Sequence, residues 1–119
     1  MANPFVHVEL QTQNLEKSKK FYAGMFGWKL TDMPGMEYTI IDVGEGTGGG
    51  MMQKPMPDMP DNWLPYILVD DVAAATQKAQ SLGATLCKEV TEVPDMGWFS
   101  VLTDPTGAAF GLWQPKPGM

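Results

Sequence analysis

The stretch FVHVELQTQNLEKSKKFYAGMFGW, from Phe5 to Trp28, decides the fold because a strand pattern passes directly into a helix pattern. Apolar and polar side chains alternate at its start, which predicts a β-strand. One face of that strand carries Val6, Val8 and Leu10, and the other carries Phe5, His7, Glu9 and Gln11.

A helix pattern follows the strand. Asn14 stands where a helix cap is expected, and Gly27 stands where the helix would end. The buried stripe of this helix is predicted to be Leu15, Ser18, Tyr22, Met25 and Phe26. The stretch therefore predicts one βα unit.

The same pattern returns in WLPYILVDDVAAATQKAQSLGA, residues 63–84, with Asp71 as the helix cap and Gly83 as the stop. Three strand patterns follow each helix: WKLTD, EYTIIDV and GGMMQ after the first, and TLCKEV, WFSVLT and AAFGLWQ after the second. We predict two βαβββ repeats, at about 4–54 and 62–115, joined by a Pro- and Met-rich linker at about 55–61. Neither repeat can bury a core alone, so the two are expected to pair. The predicted fold class is α+β, a curved mixed sheet forming a cup with its helices outside and a ligand on the concave side.

Composition narrows the classes of partner. A chain of 119 residues is long enough for one domain and too short for two independent ones. The net charge is −6 and every positive residue is a lysine, which argues against a nucleic-acid partner and suits a neutral or cationic ligand. The single cysteine, Cys87, cannot form an internal disulfide, and no apolar run approaches the roughly 20 residues of a membrane span. The expected protein is cytoplasmic and has no membrane partner.

Three motifs, taken in order, carry a family resemblance. They are NLEKSKKFYAGMFGW at 14–28, YILVDDVAAATQKAQSLGA at 66–84 and LTDPTGAAFGLWQ at 102–114. Together they resemble a single module of the vicinal oxygen chelate superfamily, the glyoxalase, bleomycin-resistance and dioxygenase group, over residues 1–119. Short bacterial glyoxalase-like proteins related to lactoylglutathione lyase are the most similar subgroup. The resemblance implies the paired βαβββ fold and a homodimer, whose modules either share strands or pack side by side.

Members of this family that use a metal hold it with side chains from the first and last strand of each half. Carried over residue by residue, the four positions are His7, Gly50, Leu64 and Gly111. Because only His7 is a ligand type, we expect the usual metal site to be absent. No cofactor is therefore predicted. The alternative is a divalent metal held by His7 and Glu9, with Glu37 pointing inward.

Several residues are candidates for contact with a ligand. Gly50 and Gly111 are predicted to leave the cup open for a bulky molecule, although relief of strain in curved strands would also explain them. By strand alternation Tyr66, Trp98 and Trp113 are predicted to share the face of His7, either against a ligand or in a protein interface.

Three functions remain open from the sequence. The first is a small-molecule-binding protein without canonical metal chemistry. The second is a glyoxalase-like lyase or isomerase, or a dioxygenase-related metalloenzyme. In such an enzyme Glu9 would act as a base with His7 as its proton-sharing partner, or the two side chains would hold a metal. Without a metal, the enediolate that develops during proton abstraction has no evident electrophile to stabilise it. The third is a structural or interaction dimer without a ligand.

Overall fold

The computed structural model describes residues 2–35 and 37–117, and these form two compact units. The first-repeat unit comprises His7–Leu64, and the second-repeat unit comprises the described residues from Pro65 onward together with those up to Val6. The N-terminal residues join the second-repeat unit through backbone hydrogen bonding, because Leu68 N donates to Pro4 O at 2.9 Å.

The described residues of the first repeat form one helix and four strands. Its elements are β1 (Phe5–Thr12), α1 (Leu15–Phe26), β2 (Lys29–Asp32), β3 (Tyr38–Asp42) and β4 (Gly49–Gln53). These strands are hydrogen-bonded in the order β2-β3-β4-β1, with β1 and β4 parallel and the other pairs antiparallel. The register sets Glu9 directly opposite Gly50.

The second repeat has the same topology. Its elements are β5 (Asn62–Leu68), α2 (Val72–Ser81), β6 (Thr85–Val93), β7 (Gly97–Thr103) and β8 (Ala109–Pro115). Their order is β5-β8-β7-β6, with β5 and β8 parallel and the other pairs antiparallel. Tyr66 is paired with Gly111, in the position that matches Glu9 and Gly50 of the first repeat. The predicted α+β class and the two βαβββ repeats are confirmed.

The helix caps were correctly predicted. Asn14 Oδ1 accepts the Lys17 backbone N–H at 3.0 Å, and Asp71 Oδ1 accepts that of Ala74 at 3.0 Å. Gly27 closes α1 with φ at 68°, in the left-handed region that glycine adopts at little cost.

Each helix packs over one face of the strands of its repeat. Leu10, Ile41 and Met51 form the core under α1, and Val72, Leu102 and Leu112 form the core with α2. The predicted burial of the α1 stripe is wrong in part. Leu15 and Tyr22 pack against the core, but no residue of α1 is fully buried, and Met25 and Phe26 are 62% and 55% exposed. Strands of four and five residues offer too narrow a surface to cover the whole apolar arc of the helix.

Within the described residues, no helix is both long enough and apolar enough to cross a membrane.

Candidate functional site

The side of β1 that faces away from α1 is polar and yet buried. Leu10 points into the core, and the alternation of the strand turns its neighbours Glu9 and Gln11 to the opposite side. Only 6% of Glu9 and 8% of Gln11 are exposed. A carboxylate buried to this degree is strongly destabilising unless hydrogen bonds compensate it.

Hydrogen bonds to both carboxylate oxygens supply that compensation. The Tyr38 hydroxyl donates to Glu9 Oε1 at 3.0 Å, and Gln11 Nε2 donates to Oε2 at 2.9 Å. The same hydroxyl lies 2.6 Å from His7 Nε2, and the two rings are stacked with centroids 6.2 Å apart. We call the surface formed by His7, Glu9, Gln11 and Tyr38 the polar face.

The hydrogen bonds of the polar face assign a tautomer to His7. A phenol has a single hydroxyl proton, and Tyr38 donates it to Glu9 Oε1. The Tyr38 oxygen must then accept from His7, which places a proton on Nε2. Burial lowers the pKa of His7 below its ordinary value of 6.5, so the imidazole is neutral at pH 7.

Gly50 admits the Tyr38 ring. A Cβ added at Gly50 would lie 2.2 Å from both the hydroxyl and one ring carbon of Tyr38. Tyr38 reaches this place as a diagonal neighbour, because Gly50 is paired with Ile40, two residues further along β3. The prediction of open space at Gly50 is therefore wrong: the phenol ring fills it.

Gly111 has the same relation to another tyrosine. A Cβ at Gly111 would lie 2.3 Å from the Tyr66 ring, so the predicted open volume is filled here too. Tyr66 is 6% exposed and meets Phe99 edge to face, with centroids 6.2 Å apart. Phe99 is paired with Trp113, which puts both on the side of β8 that Gly111 occupies. We call the surface of Tyr66, Phe99 and Trp113 the aromatic face.

Trp98 does not belong to the aromatic face, and its predicted position is wrong. It packs against the α2 core, and Lys116 Nζ lies 5.3 Å from its ring centroid. The register explains the error, because Phe99 is paired with Trp113 while Trp98 is paired with Gln114. The alternation of β7 is therefore one residue out of phase with the prediction.

Tyr38 and Phe99 were missed as site residues. They occupy matching positions in the two repeats, a signal that the sequence does contain. What the sequence does not show is how far each ring reaches across the neighbouring strand.

The polar face does not fit the metal that the family resemblance implies. The described residues contain no group of three or more His, Cys, Asp or Glu side chains placed to hold a metal ion. His7 and Glu9 offer two donor side chains, both already hydrogen-bonded to Tyr38, whereas a divalent site of this kind needs three or four protein ligands. Glu37 is exposed.

Comparisons with known proteins agree with this architecture. The sequence model of one protein family, the Glyoxalase/Bleomycin resistance protein/Dioxygenase superfamily, matches residues 5–112. The chain is 35% identical to "Putative glyoxylase CFP32" of Mycobacterium tuberculosis over 92% of its length and 43% of that protein. It is 27% identical to "Anthracycline biosynthesis protein DnrV" of Streptomyces peucetius over 89% of its length and 45% of that protein. The chain thus spans less than half the length of these relatives.

A solved structure supports the fold. A member of the same superfamily from Vibrio splendidus 12B01 superposes with a TM-score of 0.68, covering 97% of this chain and 100% of that one at 16% identity.

Proposed function

Because the chain belongs to the Glyoxalase/Bleomycin resistance protein/Dioxygenase superfamily, we propose that it is a small-molecule-binding module that works without the metal used by other members. Its ligand is a small organic molecule, bound with the help of the polar face. In the second-repeat unit, Tyr66 and Trp113 of the aromatic face offer a separate surface for such a molecule.

The observation that carries this proposal is the position of Tyr38 over Gly50. The family position for a carboxylate ligand is a glycine here, and the phenol ring occupies the space beside it. The Tyr38 hydroxyl is also hydrogen-bonded to both His7 and Glu9, the two side chains that could still act as metal ligands. A metal would have to break both hydrogen bonds and would gain too few ligands in return.

Three features support an organic ligand that is apolar or cationic. The aromatic face can stack on a flat molecule. The net charge of −6 favours a cation over an anion. One relative is named for anthracycline biosynthesis and another as a glyoxylase, so both names refer to the chemistry of small organic molecules.

The first experiment is metal content after purification without chelator, followed by incubation with nickel, zinc, manganese or iron(II). We expect wild type to retain far less than one ion per chain in every case, with His7→Ala as the matched control. Near-stoichiometric metal in wild type that disappears in His7→Ala would overturn the metal-free proposal.

A ligand panel then tests binding itself. Aromatic compounds that are cationic, neutral or anionic would be compared by thermal shift and equilibrium dialysis. For a ligand that binds at the polar face we expect Tyr38→Phe to weaken binding by about tenfold, and for one that binds at the aromatic face we expect the same of Trp113→Ala, which is the effect of losing about 1.4 kcal/mol of binding free energy. Trp98→Phe is the control, because Trp98 lies on the side of α2. Equal weakening by Trp98→Phe would contradict the assignment of the binding faces.

Proton transfer is a second candidate function, favoured by the Tyr38 bridge between a carboxylate and an imidazole. Glu9 would remove a proton from a hydroxyl-bearing carbon next to a carbonyl and return it to the former carbonyl carbon, while the hydroxyl proton moves to the former carbonyl oxygen, as in a glyoxalase-type isomerisation. With an α-oxo hemithioacetal substrate, Glu9→Gln should abolish turnover while the melting temperature changes little. Ligand binding without turnover by wild type would leave only the binding function.

A further inference from the structure

Gln11 brings to the polar face an acceptor atom that the described residues leave unused. The side chain is only 8% exposed, and its Nε2 donates to Glu9 Oε2 at 2.9 Å. The two polar atoms of an amide diverge from one carbon, so Gln11 Oε1 is directed away from that carboxyl group. Among residues 2–35 and 37–117, no N–H or O–H group donates to Gln11 Oε1.

This acceptor can be reached from solvent. Every side-chain N or O atom that is fully enclosed within the described part of the chain has a hydrogen-bond partner, so Gln11 Oε1, which has none, is not fully enclosed. An amide oxygen in a nearly buried side chain is normally paired, because leaving it without a donor is costly. A molecule that displaces water from Gln11 Oε1 must therefore bring a donor of its own.

The strand register places apolar surface beside this oxygen. Gln11 is paired with Met52 of β4, and Met52 is paired with Tyr38 of β3. Paired residues share one side of a sheet, so the half-buried Met52 lies between Gln11 and Tyr38 on the side of the polar face. Its flexible thioether side chain adapts to apolar groups of different shape. A molecule bound at Gln11 Oε1 would rest its apolar part on Met52.

The donor that suits Gln11 Oε1 best is a positively charged N–H group. The acceptor adjoins the Glu9 carboxyl group, since the same amide is hydrogen-bonded to both its neighbours in this way only through Nε2 and leaves Oε1 beside it. Hydrogen bonds from a charged donor are stronger than those from a neutral one, and the net charge of −6 attracts cations. A quaternary ammonium group carries the same charge but has no N–H, so it would leave Gln11 Oε1 unpaired.

We propose that Gln11 is a specificity-determining residue, which selects protonated amines with an apolar substituent by accepting a hydrogen bond at Oε1. The ammonium group lies at Gln11 Oε1, and the apolar substituent lies on Met52. This inference rests on the proposed ligand-binding function and names the class of molecule that the polar face takes.

Two probes of equal charge test the selection for an N–H donor. Protonated naphthylmethylamine and its trimethylated derivative share the same ring and the same positive charge, but only the first has N–H groups. In calorimetric titrations of wild type at pH 7, the primary amine should bind at least about tenfold more tightly. Because the charges are equal, this preference should persist in about 1 M salt.

The outcomes separate this inference from the binding function. Equal binding of the two probes, or binding of neither while other compounds of the ligand panel bind, would overturn the inference and leave the binding function in place. Failure of the whole panel would overturn the binding function and this inference with it. The comparison uses wild type alone, so it does not depend on the stability of any variant.

Gln11→Met assigns the preference to the amide. Methionine keeps the length of the side chain and removes Oε1, so the preference for the primary amine should fall to about twofold or less. Gln53→Met is the matched control, since it makes the same exchange on the adjacent strand β4 at an exposed position paired with Thr12, and it should keep the full preference. A tenfold preference that survives in Gln11→Met would overturn the proposal.

The side-chain amide of Gln11 also gives a direct readout in proton–nitrogen correlation spectra. Its signals are identified by their absence from the spectrum of Gln11→Met. The primary amine should shift them strongly, and the trimethylated probe should shift them less. A bound primary amine that leaves these signals unmoved would contradict the hydrogen bond to Oε1.

Discussion

Tyr38 holds the polar face together, since one hydroxyl group serves both a buried carboxylate and the imidazole. Tyr38→Phe keeps the ring over Gly50 and removes only that hydroxyl. We expect a loss of about 1–3 kcal/mol in the free energy of unfolding, because the buried Glu9 side chain loses a hydrogen-bond donor. Urea denaturation at pH 7 measures it.

Glu9→Gln in the Tyr38→Phe background is the control for this effect. With the carboxyl group replaced, removing the hydroxyl should cost clearly less than it does in wild type, since the acceptor that the hydroxyl satisfies is no longer a carboxyl oxygen. Equal costs in the two backgrounds would mean that the hydroxyl stabilises the protein by some other route.

His7 offers a direct measurement because it is the chain's single histidine. Burial lowers its pKa below 6.5, so the ring signal in proton NMR should titrate with a midpoint under that value. Nitrogen chemical shifts should also show the neutral tautomer with its proton on Nε2. A midpoint at or above 6.5, or a proton on Nδ1, would refute the hydrogen-bond polarity assigned to the polar face.

The same lowered pKa makes stability depend on pH. Below 6.5 the unfolded chain takes up a proton at His7 before the folded chain does. The free energy of unfolding should therefore fall as the pH decreases from above 6.5. The fall should end once the pH lies below the pKa of His7 in the folded protein. His7→Gln should flatten this part of the curve.

At the scale of elements, the pairing of β5 with β8 depends on a glycine beneath an aromatic ring. Gly111→Ala would bring a methyl group within 2.3 Å of the Tyr66 ring, which is buried and cannot swing aside freely. We expect a loss of about 1–3 kcal/mol in stability, the usual cost of overpacking. In a Tyr66→Ala background the same substitution should cost much less, and additive costs would contradict this account.

The strands also show what the sequence could predict. The alternation of β1 placed His7 and Glu9 together correctly, because a two-residue period read from one strand fixes which side chains share a face. Trp98 was misplaced because the phase of β7 is set by its pairing with β8, which no local pattern records.

The helices and glycines also show that local features can be predicted from the sequence, whereas features that depend on tertiary contacts cannot. Caps such as Asn14 and Asp71 are local signals and were found. Gly50 and Gly111 were recognised as departures from the metal-binding pattern, but the rings that fill their space come from other strands. The burial of α1 was overestimated because the width of the surface beneath it is a tertiary property.

The charge of the whole molecule bears on which ligand is bound. A net charge of −6 sums over every residue, so it should favour a cationic ligand over a neutral one of the same shape even without a new contact. We expect the cationic member of a matched aromatic pair to bind a few-fold more tightly at low ionic strength. Near 1 M salt the Debye length shrinks to about 3 Å, and the advantage of the cationic ligand should largely disappear.

Calorimetric titration of both ligands across a salt series measures this salt dependence, with the neutral ligand as the control for general salt effects. A cationic preference that persists undiminished in high salt would instead point to a buried ion pair, and tighter binding of an anionic analogue would contradict the expected ligand class.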